Sequence, residues 1–301
     1  MSSNAKKVII VTGGTTGIGL ECGRALAKYD NVHVIITGRN KQRVDNAITE
    51  MKQTAAASSI VEGSIMDNAN LKSVRDFANS IRDRDLQLFS IVGNAGIHNT
   101  KKELSPDGFE SIMATNHIGH FLLVKLLLGR TKRVVMVSSE AHDPTEKTLS
   151  PPPDMSDLDQ LAFGREKFHG MGAYGESKLC NMLHVKEIAR SHRKEALAYS
   201  PGFTPDTEFL RRYPRIFAAL LKFFVRKIFP LFMSIRVNSA KSAGEFLALM
   251  ATADSIAANG WRNGDYILID KVHKESEQAR DPVLAKQLWD KSEEWVKPFV
   301  H

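Results

Sequence analysis

The chain has 301 residues, 43% hydrophobic and 25% charged, enough to bury a substantial core, and no internal repeat divides it. Its two cysteines, Cys22 and Cys180, are too few for a disulfide framework and read as buried free thiols, and no Cys/His cluster has metal-ligand spacing. The formal net charge of +7 is spread along the chain with no nucleic-acid module, so nucleic acid is not the expected partner.

In chain order, the apolar run Val8 to Val11 ends in Thr12-Gly13-Gly14-Thr15-Thr16-Gly17-Ile18-Gly19 and re-enters a helical pattern through Leu20, Ala25 and Leu26. A strand that breaks into glycines before a helix suits the phosphates of a nucleotide. Glycine lets the backbone approach without a Cβ clash, and the free N–H groups and positive end of the helix stabilise the negative charge. The first and middle glycines lie further apart than in the G-x-G-x-x-G fingerprint.

Strands are predicted at Val8 to Thr12, His33 to Thr37, Ile60 to Gly63, Leu88 to Val92, Val134 to Ser138, Leu197 to Tyr199 and Tyr266 to Ile269, with helical patterns between them. This alternation predicts a single α/β domain over 1–301: a Rossmann-like, doubly wound parallel sheet with helices on both faces and ligands at the carboxyl ends of its strands. Pro151-Pro152-Pro153 reads as an ordered surface excursion.

After the second strand the chain reads Gly38-Arg39-Asn40-Lys41-Gln42-Arg43, with three cations and no acid. An acid here would accept bonds from the adenosine ribose of NAD, whereas Arg39 can pair bidentately with the 2′-phosphate of NADP. Cations are unfavourable at a helix N-terminus. A phosphate partner gives these a reason to be there, so NADP(H) is the expected cofactor.

Further on, Asn116 lies inside a helical pattern, and the run Val134 to Val137 delivers Ser138 and Ser139 to the sheet's edge. Tyr174 and Lys178 stand at i and i+4, on one face of a helix continuing through Leu179, Met182, Leu183 and Ile188. With Thr12 to Gly19, Gly93-Asn94-Ala95-Gly96 and Pro201-Gly202, this ordered set resembles the short-chain dehydrogenase/reductase family over nearly the whole chain.

The resemblance implies Asn116, Ser139, Tyr174 and Lys178 as the catalytic set. Tyr174 would exchange the proton, Lys178 would also hold the nicotinamide ribose, Ser139 would orient the substrate oxygen, and Asn116, kinking its helix, would support a relay water. Ser139 is chosen over Ser138 because the family's serine takes the second place of such a pair. A lysine ammonium about 4 Å from the phenol, at an effective dielectric near 20, favours the phenolate by roughly 4 kcal/mol before desolvation. The dinucleotide would contact Gly13, Thr15, Thr16, Gly17, Ile18, Gly19, Arg39, Asp67, Asn94, Ala95, Gly96, Tyr174, Lys178, Pro201, Gly202, Thr204 and Thr207. Asp67 matches the position holding the adenine amine and also reads as an N-cap for the helix through Leu71 and Val74. Gly93 replaces the family's first asparagine, a change expected to be local. The residue aligned beside the nicotinamide amide is either Asp206 or Thr207.

The segment from Phe209 to Asn238 places Phe217, Leu220, Leu221, Phe224 and Ile228 on one helical face and Arg211, Arg215, Lys222 and Arg226 opposite. Its cations make it a poor transmembrane span. It reads as a substrate lid, within about 203–240, or as an amphipathic helix in peripheral contact with an anionic membrane surface, with the lid preferred. Asn116-His117-Ile118-Gly119-His120-Phe121 and Ser138-Ser139-Glu140-Ala141-His142 resemble the branch of retinol dehydrogenases and protochlorophyllide reductases. His117, His120 and His142 read as packing or turn residues. The cysteine that the light-driven reductases carry after Pro-Gly is Phe203 here, which argues against photochemistry.

The expected function is an NADP(H)-dependent carbonyl reductase or alcohol dehydrogenase for a lipophilic small molecule. The alternatives are a protochlorophyllide-reductase-like C=C reductase and a non-catalytic NADP-sensing module, which would not need all four catalytic residues. Homo-oligomers are compatible with this reading. Met1 to Lys7 lacks the apolar core of a signal peptide, so a cytoplasmic location is expected.

Overall fold

A computed structural model describes residues 6–146, 148, 150–205 and 236–300. Its strands are β1 (Lys7–Val11), β2 (Val32–Gly38), β3 (Ile60–Ile65), β4 (Leu88–Gly93), β5 (Thr131–Val137), β6 (Glu195–Ser200), β7 (Tyr266–Leu268) and β8 (Lys271–Val272). They form one sheet in the order β3-β2-β1-β4-β5-β6-β7-β8, parallel throughout except for the β7/β8 pair. All seven predicted strands are present. The two-residue β8 went unpredicted because both its residues are exposed and so short a run has no period to read.

The central strands are buried on both faces because helices cover both. Alternate residues point to opposite sides, so Val8 and Ile10 join one core while Ile9 and Val11 join the other. The first core is closed by α3 (Leu71–Asp83), α4 (Gly119–Leu127), α5 (Gly170–Ser191) and the helix Pro282–Val296; the second by α1 (Gly17–Ala27), α2 (Lys41–Lys52) and the helix Ala240–Thr252. Cys22 and Cys180 are buried free thiols in α1 and α5.

β5 starts three residues before the predicted Val134 because Arg133 is a core residue despite its charge. Its guanidinium is fully buried, donating to Glu195 at 2.8 and 2.6 Å and to the Met250 carbonyl at 2.7 Å. Among the described residues one helical run, Ser111–Arg130, is long and apolar enough to cross a membrane, and it is mostly buried inside the fold.

β1 pairs with β2 on one side and β4 on the other, so the strand order reverses beside β1. The crevice at that reversal is where doubly wound folds bind ligands, and the loops after β1 and β4 form its walls.

Candidate active site

The loop after β1 is shaped by close approach. Gly13 (φ +64°) and Gly17 (φ +55°) occupy the left-handed region that favours glycine. A Cβ on Gly19 would lie 2.3 Å from the Gly13 carbonyl oxygen, and one on Gly13 2.9 Å from the Ala95 Cα. α1 then begins at Gly17, with Thr16 at its N-cap making no side-chain cap and no acid in its first turn. Its orphan N–H groups and positive dipole end are left to an anion, so the loop fits a dinucleotide pyrophosphate.

The loop after β4 is fastened to this one. Asn94 Nδ2 donates to the Thr12 carbonyl at 2.9 Å and to the Gly13 carbonyl at 3.3 Å, while the Asn94 and Ala95 amides donate to Thr12 Oγ1 at 2.9 and 3.0 Å. Asn94 thus braces the sheet as expected. A Cβ on Gly93 would come within 2.4 Å of the Met136 sulfur, so Met136 fills the space that a side chain at Gly93 would need.

Asn116 sits in a π-helical turn, Ala114–Ile118, between Ser111–Met113 and α4. Such turns cluster at functional sites, and this one supplies the helix irregularity that the resemblance implies. Asn116 Oδ1 accepts from the Ile97 amide at 2.8 Å, and its Nδ2 donates to the Ile97 carbonyl at 3.1 Å and to Ser177 Oγ at 2.9 Å.

Beyond β5 the two serines separate by role. Ser138 is buried and donates to the Lys178 carbonyl at 2.9 Å. Half-buried Ser139 is hydrogen-bonded to the Tyr174 side chain and caps a short 3-10 turn by accepting from the Ala141 amide at 3.2 Å. Ser139, Tyr174 and Lys178 therefore converge, with Lys178 Nζ 5.4 Å from the Tyr174 ring centroid and 3.0 Å from the Val137 carbonyl to which it donates.

The electrostatics of the pair correct the simple Coulomb expectation. Burial pushes the Tyr174 phenol up to about 12, only partly opposed by Ser139, and pushes Lys178 down to about 8. With the ammonium held on Val137, desolvation outweighs attraction. Tyr174 carries its proton at neutral pH, the form needed to donate it.

Among the remaining residues, Arg39 is exposed at the end of β2 and makes no ion pair or side-chain hydrogen bond among the described residues. Asn70, not Asp67, caps α3, because its side chain accepts from the Ser73 amide at 3.0 Å. Asp67 instead closes a turn onto the Ala69 amide at 3.0 Å with one carboxylate oxygen. Gly202 (φ +73°) lets the chain turn after Pro201, since a Cβ there would sit 2.5 Å from the Arg236 carbonyl. Thr204 is buried beside it, whereas Thr207 and most of the expected lid segment lie outside the described residues. Sequence reasoning missed Thr12, Ile97 and Ser177. Their signal was position alone: the end of β1, the residue after Gly93 to Gly96, and the residue before Lys178.

Residues 7–149 match the short chain dehydrogenase family. The WW domain-containing oxidoreductase of Danio rerio is 33% identical over 97% of this chain and 68% of its own length. Protochlorophyllide reductase B of Oryza sativa subsp. japonica is 29% identical over 97% of this chain and 77% of its own. Among solved structures, an uncharacterised protein from Mycobacterium paratuberculosis superposes with a TM-score of 0.71 at 26% identity, covering 98% of this chain and 95% of that one. The chain belongs to the short-chain dehydrogenase/reductase family of nicotinamide-dependent oxidoreductases.

Proposed function

We propose that this enzyme is an NADP(H)-dependent carbonyl reductase or alcohol dehydrogenase acting on a lipophilic small molecule. The observation that carries the proposal is the convergence of Ser139, Tyr174 and Lys178 beside an anion-ready helix N-terminus.

When bound, the dinucleotide supplies or accepts a hydride. Gly13, Thr15, Thr16, Gly17, Ile18 and Gly19 would hold its pyrophosphate, Asp67 its adenine amine, and Asn94, Ala95, Gly96, Pro201, Gly202 and Thr204 its nicotinamide half. Ser139 orients the substrate oxygen towards the Tyr174 hydroxyl, to which it is already bonded. Tyr174 gives its proton to that oxygen in reduction and takes it back in oxidation. Because burial holds the phenol protonated, the resting site is set for reduction. Lys178 stays below Tyr174 as a buried cation whose proton is held on the Val137 carbonyl.

Cofactor choice rests on Arg39. An exposed guanidinium with no partner among the described residues, next to a Gly38 whose Cβ would sit 2.6 Å from the Thr15 methyl, is free to clamp a phosphate at the adenosine end. Fluorescence titration tests this: Arg39→Ala should weaken NADPH about tenfold to hundredfold while leaving NADH nearly unchanged, the loss expected for one charge-assisted contact. Equal losses for the two cofactors would remove the phosphate role. Activity towards lipophilic aldehydes and ketones, followed at the reduced-nicotinamide absorbance, tests the reaction itself.

A further inference from the structure

His120, which reads from sequence as packing, is fully buried and makes a hydrogen bond at each ring nitrogen. Nδ1 faces the Asn116 carbonyl at 2.9 Å. A carbonyl only accepts, so Nδ1 carries the proton and Nε2 is left as an acceptor. Nε2 lies 2.7 Å from Thr12 Oγ1, whose single hydroxyl proton therefore goes to the ring and not to the longer contact with the Val92 carbonyl at 3.3 Å. This leaves the threonine oxygen to accept from the Asn94 and Ala95 amides. The ring is held neutral: burial pushes its pKa down to about 4, and the nearby Lys178 charge acts in the same direction.

The loop after β4 is thus gripped twice, by Thr12 at residues 94 and 95 and by the Asn116 side chain at Ile97. Asn116 also holds Ser177 Oγ, which donates to the Tyr174 carbonyl at 2.7 Å. His120 joins the two grips. One hydrogen-bonded path then runs from the glycine loop of β1, through the ring, to the backbone of Tyr174. Leucine or phenylalanine would fill the space equally well, but only a side chain with a donor on one side and an acceptor on the other makes this link.

We propose that His120 is a positioning residue that fixes the dinucleotide-binding loops of β1 and β4 against the helix carrying Tyr174. The proposal rests on the oxidoreductase reading. Its two ring nitrogens serve different ends: the Nε2 bond to Thr12 holds the cofactor loops, and the Nδ1 bond to Asn116 holds the catalytic turn.

Three substitutions separate these ends. His120→Phe keeps the bulk and loses both bonds. His120→Asn keeps a donor where Nδ1 was, and His120→Gln keeps an acceptor where Nε2 was. NADPH and NADH affinity by fluorescence titration, kcat on a carbonyl turned over by the wild type, and the melting temperature are measured for each. We expect His120→Phe to weaken NADPH and lower kcat by roughly tenfold each, within the range for a lost hydrogen bond in a buried network. His120→Asn should lower affinity more than kcat, and His120→Gln should lower kcat more than affinity. If His120→Phe fails to fold, Thr12→Val reads the same link with the ring in place and should weaken NADPH, whereas Thr12→Ser should restore it. Losses that follow the melting temperature without this split would make His120 merely structural and overturn the proposal, as would wild-type affinity and kcat in His120→Phe. A wild type that binds neither NADPH nor NADH would overturn the oxidoreductase reading and this inference together. Binding by the wild type with unchanged variants would overturn this inference alone.

Discussion

Tyr174→Phe is expected to lower turnover by about 10² to 10⁴-fold while leaving NADPH affinity within about twofold of wild type, since general acid–base catalysis typically contributes that much. The substitution removes the hydroxyl proposed to pass a proton to the substrate oxygen and keeps the ring that packs edge-on against His98 at a centroid distance of 6.0 Å. The Lys178 and Ser138 contacts do not involve the tyrosine hydroxyl, so the cofactor pocket should survive. Steady-state kinetics beside a fluorescence titration checks this. A variant keeping more than about a tenth of the wild-type rate would show that another group supplies the proton.

The second large effect is acid lability. Burial pushes His117 down to about 3 and His120 to about 4, and holds His184 well below its ordinary 6.5. His184 lies among His117, Phe121 and Trp289, at centroid distances of 5.8, 5.2 and 5.5 Å, and neither of its ring nitrogens has a hydrogen-bond partner among the described residues. Folded-state values depressed below 6.5 mean that the unfolded chain binds protons that the folded chain refuses. Stability from these groups is therefore complete above about pH 6.5 and is lost as pH falls towards 4. At pH 5 His117 and His120 should each cost about 2 kcal/mol relative to neutral pH, and His184 acts in the same direction. Costs of this size are a large share of the stability of an ordinary domain. Urea unfolding at pH 7.5 and pH 5.0 should show a much lower midpoint in acid, and His184→Leu should narrow the gap. Equal midpoints at the two pH values would mean that these rings already share protons in the folded state.

The strands were legible because runs such as Val8 to Val11 and Val134 to Val137 are buried on both faces and carry no polar interruption. Where charge entered the core the reading stopped short, as at Arg133, whose partner Glu195 lies 62 residues away. Spacing put Tyr174 and Lys178 on one helical face, and the family resemblance chose Ser139 over Ser138 at the end of β5. It could not give the balance between burial and Coulomb attraction at Tyr174, which depends on Lys178 Nζ being held by Val137. Asp67 was misread as a cap because Asn70, three residues on, competes for the same helix start and sits closer to it. His120 carried a usable signal in its i+4 spacing from Asn116, yet its second partner, Thr12, is 108 residues distant and no local pattern points to it.

In the proposed reaction Tyr174 passes a proton to a carbonyl oxygen while NADPH gives a hydride to the carbonyl carbon. Its most direct test is NADPH oxidation, followed at the reduced-nicotinamide absorbance, with purified protein and a panel of lipophilic aldehydes and ketones at neutral pH. Turnover of at least one of them is expected, faster with NADPH than with NADH. Tight NADPH binding with no turnover of any carbonyl would contradict it and favour a protein that only senses the cofactor.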